Sequence, residues 1–165
     1  MQPTGINDVT NTVIGAAIAV HRELGPGLLE STYEKCLAFE LASSGYTVEC
    51  EKPLPIVYKG VQIDCGYRID MLVAGLVVVE LKAVEALSAI DQAQLLSYLK
   101  LSGSPVGLLI NFNVRLLKDG IRRFVSGTQP GSAPLLKLKT MEGRTHSSQP
   151  HVGGCQVDER GKASS

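Results

Sequence analysis

The most chemically loaded stretch of the chain is Val79-Glu80-Leu81-Lys82, where two charged residues close an apolar run. In an extended segment residues two apart point to the same face, so Glu80 and Lys82 are aimed together. An acid and an ammonium set on a buried strand are costly unless they pair or serve a ligand. A salt bridge at the strand's end is one reading. Asp70, in Arg68-Ile69-Asp70-Met71-Leu72, opens another. Ala74-Gly75 reads as a tight turn, so the flanking strands pair antiparallel and Asp70 falls nearly opposite Glu80. Facing carboxylates repel unless a cation lies between them. Hard oxygen ligands of this kind suit Mg²⁺ or Mn²⁺. An adjacent ammonium can position or deprotonate a water, or stabilise developing negative charge.

These residues need a frame. Asn7 is the expected N-cap of a first helix carrying Ile14, Ala17 and Ile18 at helical spacing, ended by Gly25-Pro26-Gly27. A second helix is expected over residues 28–44, with Leu29, Tyr33, Cys36, Leu37 and Leu41 on its buried face and Gly45 as its cap. Strands follow at 46–55, at 56–58 and 61–63 around the turn Lys59-Gly60, and at 67–73. Val77-Val78-Val79 reads as a central strand covered on both faces. A third helix over 89–101 stops at Gly103-Ser104-Pro105, and strands at 106–111 and 120–125 finish the pattern. The order implies an α/β domain of two or three layers around a mixed sheet.

Sixteen Lys and Arg balance sixteen Asp and Glu in 165 residues. The last 38, from Thr128, are dominated by Gly, Ser, Pro and Gln and show little periodicity. They read as a disordered tail behind a domain of residues 1–127, so His146 and His151 receive no catalytic role. The tail holds five basic and three acidic residues, leaving the domain eleven against thirteen. That balance excludes a broadly electropositive surface, though not a local basic patch. Five Tyr, three Phe and no Trp provide no broad stacking platform for single strands. The four cysteines lack Cys-x-x-Cys or zinc-like spacing, and Cys36, Cys50 and Cys65 are expected to be buried free thiols. The apolar run 13–20 has no basic residue before it and is shorter than the about 20 residues a membrane span needs. It reads as a buried helix face, and the expected compartment is the cytosol.

Asp70-x9-Glu80-Leu81-Lys82 resembles the signature of the PD-(D/E)XK nuclease superfamily. Further segments sharpen the likeness. Gly27-Leu28-Leu29-Glu30-Ser31-Thr32-Tyr33 spells G-x-x-E-x-x-Y, and Gln94-Leu95-Leu96-Ser97-Tyr98 spells Q-x-x-x-Y. Asn111-Phe112 and Lys118-Asp119-Gly120-Ile121-Arg122-Arg123 close the domain. Together they resemble the prokaryotic GxxExxY family over residues 5–127. The resemblance implies a restriction-endonuclease-like core of helix, three strands, helix and strand, with an extra N-terminal helix. It implies Asp70 and Glu80 as metal ligands, the Leu81 carbonyl as a further ligand, and Lys82 as the residue that handles the attacking water. Glu30 would bind the metal or orient a water beside it, and Gln94 would fix the site or the phosphate.

Each assignment has a plainer counterpart. Tyr33 reads first as a core ring whose hydroxyl needs a partner. Gly27 supplies a turn, and Glu30 suits a helix N-terminus whatever its function. His21 sits where a helix end favours any cation. The expected function is metal-dependent hydrolysis of DNA or RNA, and a homodimer is one assembly it allows. The alternative is an inactive nucleic-acid-binding or protein-interaction module on a nuclease fold.

Overall fold

A computed structural model describes residues 5–127. The expectations for the tail, with His146, His151 and Cys155, lie outside the described residues. Helix α1 (Ile6–Leu24) buries Val9, Val13, Ala17 and Val20 along one stripe. Its N-cap is Gly5 rather than Asn7. The Gly5 carbonyl takes the N–H groups of Asp8 and Val9, while Asn7 lies within the first turn and its Oδ1 accepts from Arg123 at 3.2 Å. Helix α2 (Glu30–Ser43) buries Tyr33, Leu37 and Leu41. It starts later than the periodicity predicts. Leu29 is its extended N-cap and is 75% exposed, since an N-cap stands outside the helical spacing that would aim it inward.

The main sheet has five strands in the order β1-β4-β5-β6-β7, and β2 and β3 form a separate hairpin. The strands are β1 (Val48–Pro53), β2 (Ile56–Tyr58), β3 (Val61–Ile63), β4 (Arg68–Val73), β5 (Val77–Lys82), β6 (Val106–Asn111) and β7 (Ile121–Val125). All neighbours in the main sheet run antiparallel except β5 and β6. A parallel pair needs a crossover, and α3 (Ala89–Ser102) provides it. Ser88 and Asp91 form a capping box that fixes the start of α3. At the β4–β5 turn both Ala74 (φ 52°) and Gly75 (φ 67°) are left-handed, the conformation that matches the twist of a two-stranded ribbon.

Three layers result. On one face Met71, Val73, Val79, Leu81, Leu108 and Ile110 meet α1 and α2. On the other Leu72, Val78 and Leu109 meet Leu95, Tyr98 and Leu99 of α3. Gly107 lets α3 approach closely: a Cβ there would lie 2.8 Å from Leu95. The short helix α4 (Leu117–Gly120), which has no periodicity to announce it, precedes β7. Two thiols differ from expectation. Cys50 and Cys65 are exposed and only Cys36 is partly covered, because β1 is an edge strand and Cys65 lies in the loop before β4.

Candidate metal centre

The site forms where β5 changes character. β5 registers with β6 along its whole length, from Val77 against Val106 to Lys82 against Asn111. With β4 it pairs only at Val77, Val78 and Val79, ending at Met71 against Val79. One step further the register places Asp70 opposite Glu80, and there a side chain replaces the ladder. The Leu81 N–H donates to Asp70 Oδ2 at 2.7 Å. The N–H and C=O of one strand residue share a side, so the Leu81 carbonyl is also directed toward β4 and Asp70. On the opposite edge the Phe112 N–H donates to the Lys82 carbonyl at 2.8 Å, so the strand end is held firmly from the β6 side.

Glu80 and Lys82 emerge on the α3 face, as their spacing predicts. Lys82 Nζ lies 3.0 Å from Glu80 Oε1. This is the ion pair of the plainer reading, yet it satisfies only half of the carboxylate. Glu80 is 3% exposed, and its buried Oε2 has no hydrogen-bond partner among the described residues. Burial first, and then the neighbouring Asp70 charge, push the Glu80 carboxyl from its ordinary 4.5 up to about 7, against the pull of Lys82. Asp70 is raised chiefly by burial, with the Leu81 N–H and Lys82 opposing. Burial pulls Lys82 down, but Glu80, Glu30 and Asp70 overcome it, so its net shift is upward and it stays protonated at neutral pH.

Glu30 opens α2, and its Oε2 accepts from the Ala83 N–H, just beyond β5, at 3.2 Å. Burial raises its carboxyl, partly offset by Lys82, and the Asp70 charge adds to the rise. The G-x-x-E-x-x-Y segment therefore has a structural logic. Gly27 takes φ 97° in the turn. Tyr33, fully buried and stacked on Phe112 at 4.3 Å, donates its hydroxyl to the Gly25 carbonyl (2.7 Å) and accepts from the Leu28 N–H (3.0 Å). Tyr33 thus fixes the loop from which Glu30 reaches β5. Gln94 and Tyr98 lie on the α3 side, Gln94 Nε2 donating to the Tyr98 hydroxyl at 2.7 Å. Tyr98 feels Glu80, Asp70 and Lys82, which places this pair beside the cluster.

His21 stays apart from these carboxylates. A carbonyl only accepts, so His21 Nε2 is the donor to Val114 O at 2.9 Å. Three residues carry roles that the sequence reading did not assign. Asn111 is buried at the end of β6 and clasps Val84, accepting from its N–H (3.1 Å) and donating to its carbonyl (2.8 Å). A polar residue closing an apolar strand was the available signal. Glu34, one turn beyond Glu30, is raised by burial and then by Asp70, Glu51 and Glu30. Glu51 sits at φ 47° where the β1–β4 register skips Asp70. No motif marks either glutamate.

A family model for the PD-(D/E)XK nuclease superfamily matches residues 7–124. The chain belongs to the PD-(D/E)XK nuclease superfamily. No curated protein and no solved structure matches it. PD-(D/E)XK nucleases generally use divalent metals, and the donor set here fits one. Among the described residues no three His, Cys, Asp or Glu side chains are gathered tightly enough to enclose an ion by themselves. A small hard cation does not require that: Mg²⁺ is held by one or two carboxylates and keeps several waters. The buried, unpartnered Glu80 Oε2 is the atom such an ion would satisfy. No helix among the described residues is long and apolar enough to cross a membrane.

Proposed function

We propose that this domain is a Mg²⁺- or Mn²⁺-dependent nuclease that hydrolyses phosphodiester bonds of DNA or RNA, of the GxxExxY type within its superfamily. The observation that carries the reading is the unpartnered Glu80 Oε2 inside a cluster where acids outnumber the single lysine. Asp70, Glu80 and the Leu81 carbonyl would hold the ion. When bound, it supplies neutralisation of the acidic cluster and of phosphate charge, and activation of water.

The chain's own groups would do the rest. Lys82 is held protonated 3.0 Å from Glu80, so it acts as a fixed cation that orients water and stabilises developing negative charge rather than as a free base. Glu30, anchored at Ala83, would orient the water from the α2 side, where its raised carboxyl suits a proton-holding role. Gln94, already bonded to Tyr98, retains amide capacity for a phosphate oxygen from the α3 side.

Calorimetric titration with Mg²⁺ and with Mn²⁺, alongside cleavage of mixed DNA and RNA substrates, tests the proposal. Wild type is expected to bind an ion and cleave, and Glu80→Gln to lose both. A wild type that binds no divalent ion and cleaves nothing, with a Glu80→Gln variant that is destabilised, identifies Glu80–Lys82 as a structural ion pair. The non-catalytic interaction module then replaces the enzyme.

A further inference from the structure

A cleft of about 400 Å³ is lined by Arg22 and His21 from α1, by Gly25-Pro26, and by Arg115 and Lys118 before and within α4. The rest of its lining is aliphatic, and no acidic residue contributes. This is unusual for a domain with more acidic than basic residues. Arg22, Arg115 and Lys118 are exposed, and none makes an ion pair among the described residues, where the only ion pairs are Lys52–Glu49 and Lys82–Glu80. Unpaired cations gathered in a concave surface repel one another and gain by receiving an anion.

The position of the cleft supplies a second argument. The Tyr33–Phe112 stack ties residues of the cleft wall to residues of the centre. Tyr33 holds Gly25, at the cleft wall, and begins three residues after Glu30, at the centre. Phe112 hydrogen-bonds the Lys82 carbonyl, and Val114, two residues on, holds His21. Both features are therefore tied to the end of the sheet where β5 and β6 finish, the acidic centre on the α3 face and the basic cleft on the α1 side.

We propose that this cleft is a phosphate-backbone site that holds the nucleic-acid strand away from the bond being cut. The inference rests on the nuclease reading, and it specifies how a slightly acidic domain retains a polyanion. The acidic centre repels phosphate until a metal neutralises it, so the cleft supplies the metal-independent part of binding. Arginine is suited to this, because its planar fork pairs with two phosphate oxygens at once.

The test uses the full chain and a fluorescent mixed-sequence DNA duplex of about 20 base pairs, with its RNA counterpart, read by anisotropy in EDTA over a salt series. Binding to B-DNA falls with salt by a slope of about 0.9 per phosphate contact. The triple variant Arg22→Gln, Arg115→Gln, Lys118→Gln is expected to bind at least tenfold more weakly and to lose about 2.7 units of slope on DNA, about 0.9 for each cation removed. Its KM for cleavage rises while kcat holds, and its melting temperature is unchanged. Lys52→Gln, Lys59→Gln and Lys100→Gln together, on β1, the β2–β3 hairpin and α3 and outside the cleft lining, remove the same three charges and are expected to change binding less than twofold. Single variants replace the triple if it misfolds. Equal losses in the control and the triple variant, or an unchanged triple variant on a wild type that cleaves, overturn the cleft and leave the nuclease standing. Cleft-dependent binding by a wild type that never cleaves keeps the cleft and overturns the nuclease. A wild type that binds neither duplex in EDTA overturns the cleft, and cleavage with Mg²⁺ or Mn²⁺ then decides the nuclease separately.

Discussion

The two halves of β5 are three residues long each, buried except for the half-buried Lys82 at the end, and built for opposite ends. Val77, Val78 and Val79 pair on both sides and fill both cores. Glu80, Leu81 and Lys82 keep β6 but lose the β4 ladder to a carboxylate. One half stabilises the sheet and leaves no polar atom unpaired. The other places a charged pair and an orphaned oxygen in the same layer, at a desolvation cost. Rigid backing from β6 with an opening toward β4 is what allows a polar cluster to be both fixed and reachable.

The contrast predicts mutations of opposite character. Glu80→Gln is expected to abolish metal-dependent cleavage while raising the melting temperature of the metal-free protein at pH 8, because it removes a crowded, desolvated charge. Lys82→Ala should retain ion binding and slow kcat by about 100-fold or more, the scale of losing a positioned catalytic group. Val79→Ala reverses the pattern. It should cost about 2 kcal/mol in urea unfolding from lost burial and a cavity, with the activity of the folded fraction nearly intact. If Glu80→Gln destabilises as much as Val79→Ala, the functional half of the strand is structural after all.

How much of this was legible in the sequence follows the same divide. Val106–Asn111, the hairpin around Lys59-Gly60 and the β4–β5 turn were readable, because β-branched runs and turn residues act locally. The shared face of Glu80 and Lys82 followed from strand period alone. The separation of β2–β3 into its own sheet was not readable, since pairing partners are set by tertiary packing. Nor was the start of α2, where Leu29 has the right spacing but the Tyr33 hydroxyl holds the preceding loop out of helix. The ion pair and the orphaned oxygen needed coordinates, as both depend on rotamers. Glu34 and Glu51 were hidden because only the fold brings them to Asp70.

A smaller effect is expected at Tyr33, the residue that links the motif glycine loop to Glu30. Tyr33→Phe keeps the ring on Phe112 but leaves the Gly25 carbonyl and the Leu28 N–H without their shared partner. The cost should be about 1–2 kcal/mol in urea unfolding. Cleavage should fall less than tenfold, as Glu30 is loosened and not removed. An unchanged stability with a 100-fold loss of kcat would move Tyr33 from the scaffold into the chemistry.

The smallest effect lies in the pH dependence of the metal-free protein. Glu80 is raised from 4.5 to about 7, and Asp70, Glu30 and Glu34 are raised in the same direction, burial leading in each case. Unfolded carboxylates release their protons first as pH rises, so between about 4.5 and 7 the folded state holds more protons than the unfolded one. Stability contributed by these protonated acids is complete below the lower pH and is lost as pH climbs through the upper. In EDTA the melting temperature should therefore decline across that window, after allowance for groups titrating elsewhere. Glu80→Gln should flatten the decline, because an amide has no proton to lose. Val79→Ala should lower the whole curve and keep its slope. Saturating Mg²⁺ should oppose the decline, since ion and proton compete for the same oxygens and the ion gains as the proton leaves. A curve whose slope ignores both Glu80→Gln and Mg²⁺ would place the titrating acids away from β5, and the two halves of the strand would then differ in sequence without differing in role.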